Sequence, residues 1–347
     1  MKRFAVILAG GQGERFWPLS QPNFPKQFVS LFNNKPLINQ TIERIRDYFK
    51  RSERFLVIPE ELKNLTRKFV GDENLIIEPA RKNTAPAICL CAMILKEKYG
   101  DGIIHIMPAD HIIKSKKRFA KYLQYGGIMA EKDFLVTYGV IPDRPETGYG
   151  YIKTGRMIKE KIGITGFFGE GFKEKPSVAK ARQYLRTRKY LWNSGIFTYK
   201  ISHILAEIKK HIPAVYDGVA KYLKYRNRKF FEEIPAISID YGIMEKSKRI
   251  CVIKSDFGWD DVGTWLAVER YFKKDIKDNI FLGDIVGLET MDSIVYTNSI
   301  PVRVFGIKGL VIVVSPNGVL VCKKEQAPNL KKLFSGHFAE KKKRRPI

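Results

Sequence analysis

Continuous apolar runs of strand length alternate with longer stretches in which polar residues recur at helical spacing over the first two thirds of the chain. Phe4 to Ala9, Phe55 to Ile58 and Leu75 to Ile77 are of the first kind, Ile38 to Phe49 and Leu62 to Phe69 of the second. The alternation predicts parallel βαβ units, because strands covered on both faces read as unbroken apolar runs. The rhythm continues through a helix over about Ala85 to Tyr99 and a strand Ile103 to Met107, which ends in Pro108-Ala109-Asp110-His111. The first half is therefore expected to be α/β and doubly wound. Between Phe134 and Phe172 glycines become frequent and short strands are expected, followed by helices around Ser177 to Arg188, Ile201 to His211 and Thr264 to Phe272. From Asp278 to Cys322 only short β-rich pieces remain, such as Ser293 to Tyr296, Val302 to Phe305 and Leu310 to Val314. The expected division is an α/β domain over 1–275, a small β domain over 276–335 and a basic tail over 336–347. No strict hexapeptide period is visible, so a β-helix does not follow from the repeat.

Composition narrows the class. With 44% hydrophobic and 12% aromatic residues in 347, the chain can bury a sizeable core in roughly two domains. No apolar stretch approaches the about 20 residues of a spanning helix, and the N-terminal apolar run is too short for a secretion signal. A soluble, cytoplasmic protein without a membrane partner is expected. Cys89, Cys91, Cys251 and Cys322 form no CxxC pair and no paired framework, which excludes a sequence-legible zinc site or disulfide scaffold and fits a reducing compartment. The excess of 62 Lys and Arg over 36 Asp and Glu, +26 in all, suits an anionic partner without ranking nucleic acid, membrane and polyphosphate. Lys341 to Arg345 reads as a solvated tail, and Lys114 to Arg118 and Arg182 to Lys189 as solvated helix faces. No recognised nucleic-acid module is present.

The first strand runs into Leu8-Ala9-Gly10-Gly11-Gln12-Gly13-Glu14-Arg15-Phe16-Trp17-Pro18. Backbone N–H groups in such a turn can cradle phosphates, although the glycines alone equally describe a tight βα turn. No Gly-Lys-Ser/Thr closes it, and Phe16 stands where a dinucleotide fingerprint has its third glycine. Arg15 and the following Phe24-Pro25-Lys26-Gln27 supply two cations that could face a triphosphate. Together with Phe16 to Ser20, Glu78-Pro79, Asn83 to Ala87, Pro108 to His111, Glu146 to Ile152, Phe172-x-Glu174-Lys175-Pro176, Trp192 to Phe197 and Trp259 to Gly263, these motifs resemble the sugar-phosphate nucleotidyltransferases. Their order and spacing suggest the mannose-1-phosphate guanylyltransferase subgroup, and the resemblance extends to about Leu333.

The resemblance implies a Rossmann-like nucleotidyltransferase domain with a small, β-helix-like C-terminal domain. It implies GTP and mannose 1-phosphate as substrates, GDP-mannose and pyrophosphate as products, and Mg²⁺ as cofactor. Some members carry a fused phosphomannose isomerase domain, which a chain of this length is not expected to contain; a homodimer is left open. Carried over residue by residue, the nucleotide falls to Leu8, Ala9, Gly10, Gly11, Gly13, Arg15, Lys26, Glu78, Asn83, Thr84, Pro108 and Ala109. The sugar phosphate falls to Gly148, Tyr149, Glu174, Lys175 and Asn193, and the catalytic set is Arg15, Lys26, Asp110 and Asp261. Asp110 and Asp261 are the implied metal ligands, since Mg²⁺ takes one or two carboxylates and completes its shell with substrate oxygens and water. Taken singly, Asp110 also reads as a helix N-cap and Asp261 as a turn former, with Asp260 a rival ligand and His111 a structural neighbour.

Lys175, before Pro176, is expected on extended chain or a turn, as a point charge for phosphate or as half of an exposed ion pair with Glu174. Asn193 offers a donor and acceptors to hydroxyls, Gly148 and Gly150 permit close backbone approach, and Trp192, Cys89 and Cys91 read as core. Glu78 either accepts from the N1–H and N2 amine of guanine or pairs with Arg81 or Lys82. The remaining alternatives are the same chemistry on another base or hexose, such as glucose 1-phosphate thymidylyltransfer, a catalytically silent nucleotide-sugar-binding relative, and charge-driven nucleic-acid binding. Retention of Arg15, Lys26, Asp110, Lys175 and Asp261 together argues against the silent relative, and the missing nucleic-acid module against the last.

Overall fold

The computed structural model describes residues 1–11, 13–158 and 163–334. One compact unit is formed by Met1–Gly10 with Asn39–Asp260. Its centre is a nine-stranded sheet built from β1 (Lys2–Leu8), β2 (Arg54–Pro59), β3 (Asn74–Glu78), β4 (Gly102–Pro108), β6 (Leu135–Val140), β7 (Gly150–Ile158), β8 (Gly166–Glu174), β9 (Tyr190–Lys200) and β10 (Ile250–Ser255). A separate pair joins β5 (Ile112–Ile113) to β11 (Trp259–Asp260). The large sheet has the order β3-β2-β1-β4-β9-β6-β10-β8-β7.

The first four strands are mutually parallel, as the apolar runs predict, and all the residues of β4 but Pro108 are buried. Helices α1 (Leu37–Ile45), α2 (Lys63–Val70) and α3 (Thr84–Tyr99) lie between them in the chain. α3 is apolar nearly all round, because one side meets the sheet and the other the helices Ile201–His211 and Pro213–Tyr225. Cys89 and Cys91 are buried in this core as free thiols. The glycine-rich middle of the chain departs from the expectation of short strands, since β7 and β8 have 9 residues each, and the 11-residue β9 falls between two expected helices where no strand is expected. β9 lies antiparallel between β4 and β6, so the sheet is mixed beyond β4. The basic stretch Arg182 to Lys189 is largely exposed, the solvated helix face expected of it.

The second unit combines Gly11–Ile38 with the chain from Asp261 onward. The units therefore do not follow one cut along the sequence. Aromatic packing explains the grouping of 11–38: Phe16, 1% exposed, has its ring 5.3 Å from that of Trp265, and Trp265 Nε1 donates to the Trp17 carbonyl at 3.1 Å. The helix expected near Thr264 is a short 3-10 segment, Trp265–Arg270. Beyond it, β12 (Ile280–Leu282), β14 (Ile294–Thr297) and β16 (Leu310–Ser315) stack in parallel, as do β13 (Ile285–Leu288) and β15 (Val302–Phe305). Ile280, Ile294 and Val311 are in register and buried, which makes this a β-helix-like stack. Its coils, Ile280 to Ile294 and Ile294 to Val311, differ in length, and that hides any fixed repeat. β17 (Gly318–Lys323) closes it antiparallel to β16. The Lys341 to Arg345 run lies outside the described residues. No helix among the described residues is long and apolar enough to cross a membrane.

Candidate active site

At the carboxyl edge of the parallel strands, Ala109 N donates to the Leu8 carbonyl at 2.9 Å and Ala9 N to the Val57 carbonyl at 2.9 Å. These bonds set Leu8, Ala9, Pro108 and Ala109 side by side, on the edge where open α/β sheets take ligands. Arg81 Nη1 donates to the Gly10 carbonyl at 2.8 Å and its Nε to Glu61 at 2.7 Å, so the cation expected as a partner for Glu78 directs its hydrogen bonds elsewhere. Glu78, at the end of β3, is 5% exposed and its Oε1 has no hydrogen-bond partner among the described residues. A Cβ on Gly10 would lie 3.5 Å from the other carboxylate oxygen. Burial raises this carboxyl from its ordinary value to about 7, with Arg81 opposing the shift and Glu61 adding to it. Asn83 Oδ1 caps α3 by accepting from Thr84 N at 2.8 Å, and Thr84 Oγ1 accepts from Ile239 N at 2.8 Å, so both side chains are engaged with the chain itself.

Asp110 occupies the turn between β4 and β5 and caps no helix; the next one begins at Lys116 and is capped by Ser115. Its side chain is 31% exposed and its Oδ1 is 3.8 Å from His111 Nε2. Trp259 Nε1 donates to His111 Nδ1 at 3.0 Å, so a neutral His111 carries its proton on Nε2, toward Asp110. Buried Arg44 donates to the His111 carbonyl at 2.9 Å. Asp260 pairs opposite Ile112 and is 9% exposed. Among the described residues no group of three or more His, Cys, Asp or Glu gathers to hold a metal. What is offered is hard carboxylate oxygen in small number, the donor set that suits Mg²⁺ shared with a phosphate ligand.

In the second unit, Gly13 has φ 64°, and a Cβ there would meet Lys26 N at 2.5 Å and Lys26 Cβ at 2.6 Å, so only glycine fits. Lys26 is 6% exposed and its Nζ donates to the Asp261 carbonyl at 2.5 Å. Asp261 Oδ1 accepts from Gly263 N at 3.0 Å, the turn-forming bond open to this residue from sequence. Arg15 is half-buried and has no hydrogen-bond partner among the described residues.

The candidate sugar-phosphate residues lie together in the mixed half of the large sheet. Tyr149, 7% exposed, has its ring 5.2 Å from Trp192 and 5.1 Å from Trp259, and its carbonyl accepts from Lys175 N at 3.2 Å. Gly148 N donates to Glu146 Oε1 at 3.0 Å. Gly150 faces Glu174 across the β7–β8 pair, and a Cβ on it would lie 2.5 Å from Glu174 Oε2. Lys175 takes the turn alternative, with φ 45°, and its Nζ is 2.8 Å from Glu174 Oε1 in the exposed ion pair that sequence allowed. Asn193 is less open than expected: its Oδ1 accepts from Thr137 Oγ1 at 3.0 Å and from Gly195 N at 3.4 Å, while its Nδ2 donates to Asp240 Oδ1 at 2.9 Å. Asp240 is not among the site residues expected from sequence, and nothing in spacing ties it to Asn193.

Comparison with known proteins agrees with this architecture. Residues 4–278 match the family model described as nucleotidyl transferase, and residues 283–335 match that of the MannoseP isomerase/GMP-like beta-helix domain. The chain belongs to the nucleotidyl transferase family and is a nucleotidyltransferase with a β-helix-like C-terminal domain. It is similar to mannose-1-phosphate guanylyltransferase of Escherichia coli, 36% identical over 347 residues that cover 94% of this chain and 74% of that protein. The alginate biosynthesis protein AlgA of Pseudomonas fluorescens is 34% identical over 349 residues, 95% of this chain and 71% of that one. The crystal structure of mannose-1-phosphate geranyltransferase from Thermus thermophilus superposes with a TM-score of 0.87 at 34% identity, covering 96% of this chain and 98% of that one.

Proposed function

We propose that this enzyme transfers GMP from GTP to mannose 1-phosphate, giving GDP-mannose and pyrophosphate. The observation that carries the base assignment is Glu78: a buried carboxylate with one oxygen unpartnered among the described residues, beside the glycine-rich turn at Gly10. Guanine presents N1–H and its N2 amine side by side, two donors that one ionised carboxylate accepts together. Adenine and uracil each set an acceptor against it, which leaves the buried group unpaired and costs affinity. Guanine bound there also favours the ionised form, drawing the raised carboxyl back toward its ordinary range. The relatives named for mannose 1-phosphate support the hexose.

In this reaction a phosphate oxygen of mannose 1-phosphate attacks the α-phosphorus of GTP in line. An O–P bond forms as the bond to the β-phosphate bridging oxygen breaks, and pyrophosphate leaves with that electron pair. Positioning and charge do most of the work. Arg15 and Lys26 set positive charge against the departing pyrophosphate. Lys175 holds the sugar's phosphate as a point charge, while Glu174 and Asn193 meet its hydroxyls. Asp110 and Asp261 are the carboxylates for magnesium, which when bound neutralises charge on the triphosphate. Burial pushes the Cys89 and Cys251 thiols up to about 12 and raises those of Cys91 and Cys322 as well, which works against a thiolate nucleophile. A cytoplasmic setting, where GTP is supplied and these thiols stay reduced, belongs to the same proposal.

The test is pyrophosphate release over a matrix of nucleoside triphosphates and hexose 1-phosphates, run on the wild type and Glu78→Gln. GTP with mannose 1-phosphate is expected to be fastest, and Glu78→Gln to cut the preference for GTP over ATP and UTP by about ten- to a hundredfold. No turnover with GTP would overturn the reading, and unchanged discrimination would remove Glu78 from base recognition.

A further inference from the structure

Asp240 is 47 residues from Asn193 in sequence and yet supplies the acceptor for its side-chain amide. The three bonds to that amide differ in what they fix. Thr137 Oγ1, from β6, and Gly195 N, from within β9, both donate to Oδ1, which defines the oxygen side and fills its two lone pairs. Among the described residues Asp240 alone engages the nitrogen side. Among the described residues no partner takes the second N–H. The amide is therefore held in one orientation, with one donor left for a ligand.

We propose that Asp240 is a positioning residue for the sugar phosphate: by accepting from Asn193 Nδ2 it locks the orientation in which the remaining Asn193 N–H meets a hydroxyl of the hexose. The inference rests on the reading of Asn193 as a sugar-phosphate residue. Glu174, at the end of β8, raises the Asp240 carboxyl electrostatically and Lys175 beside it opposes that, while Asp240 itself acts on Tyr199 of β9. Glu174 and Lys175 are thus the charges that act on Asp240, while the neutral Tyr199 hydroxyl is itself raised by Asp240. Burial is the largest contribution and brings Asp240 to about 7, so its strength as an acceptor changes near neutral pH. As pH rises through that value the carboxylate forms, the Asn193 bond strengthens, and affinity for the sugar phosphate rises.

The experiment measures kcat and the KM of each substrate between pH 6 and 8.5 for wild type, Asp240→Ala and Asp240→Asn. Wild-type turnover of GTP with a hexose 1-phosphate comes first, and the variants are then assayed on whichever hexose 1-phosphate the wild type uses. Failure of the wild type on every such pair rejects the functional reading itself and not this inference alone. If Asp240 positions the amide, Asp240→Ala raises the KM for the hexose 1-phosphate about tenfold, the scale of one lost orienting hydrogen bond, and leaves the KM for GTP within about twofold. Asp240→Asn keeps an oxygen for Asn193 Nδ2 and restores most of that affinity. The wild-type KM for the sugar falls as pH rises through about 7, and in Asp240→Asn the same profile is flat. A change shared equally by both substrates, an Asp240→Asn variant as impaired as Asp240→Ala, or a pH profile that persists in Asp240→Asn would each overturn the assignment.

Discussion

Glu78 closes the parallel half of the large sheet, Asp240 is bonded to its mixed half through Asn193, and burial is the main reason each carboxyl rises to about 7. Their surroundings differ. Glu78 keeps an oxygen without a partner among the described residues, whereas Asp240 already accepts from Asn193. A buried acceptor left open is costly unless a ligand satisfies it, and one already bonded serves the chain first. The same shift therefore marks a contact surface in one place and a support in the other. The parallel half carries open valence at Glu78, with Asp110 partly exposed at the same sheet edge. The mixed half carries residues tied to each other, Glu174 to Lys175 and Asn193 to Thr137 and Asp240.

The largest effect expected from this contrast is on turnover. Asp110→Ala, and Asp261→Ala in the second unit, should lower kcat by about three orders of magnitude with little change in thermal stability, because they remove charge needed at the triphosphate. Glu174→Ala should act mainly on the KM of the sugar phosphate. Steady-state kinetics at saturating magnesium decide this, and equal kcat losses in all three would erase the distinction between the halves.

Gly150→Ala comes next. The new Cβ would lie 2.5 Å from Glu174 Oε2 and 2.8 Å from the Phe172 ring, so the carboxylate or the ring must move. Overpacking of this kind costs about 1–3 kcal/mol, read as a lower melting temperature together with a raised sugar-phosphate KM and an unchanged KM for GTP. An unchanged sugar-phosphate KM would show that Glu174 does not depend on Gly150.

A pH effect on stability separates the two carboxyls themselves. Each has a folded value above its unfolded one, so its contribution is fully present below the ordinary carboxyl range and is lost as pH rises through about 7. For Glu78 the rise from 4.5 to about 7 corresponds to roughly 3 kcal/mol. Urea unfolding between pH 5 and 8 should show the wild type weakening with pH and Glu78→Gln weakening less. Saturating GTP should remove the share belonging to Glu78 and leave that of Asp240; an identical pH slope in Glu78→Gln would break the comparison.

The smallest effect is expected from Thr137→Val, which removes the hydroxyl that donates to Asn193 Oδ1 at 3.0 Å. With Gly195 N still donating there and Asp240 still accepting, the sugar-phosphate KM should rise only about two- to threefold, less than one full hydrogen bond. A larger rise than that of Asp240→Ala would place the dominant anchor on the oxygen side of the amide.

What the sequence determined by itself is what local pattern encodes. Unbroken apolar runs specified the parallel strands β1 to β4, the stretch from about Ala85 to Tyr99 specified α3, and ordered motifs gathered the candidate residues into a family whose model spans residues 4–278. The antiparallel placement of β9 between β4 and β6 was not legible, because strand direction is decided by which partners lie beside a strand and not by its own residues. The unequal coils of the β-helix-like stack hid its repeat for a related reason: inward positions such as Ile280, Ile294 and Val311 are equivalent only once stacked. The site divides the same way. Glu78 could be singled out from its residue type and position, but only the fold showed Arg81 bonded to Glu61 and Gly10. Asp240 had no assigned role until the chain brought it to Asn193, since a hydrogen bond across 47 residues leaves no periodic trace along the chain.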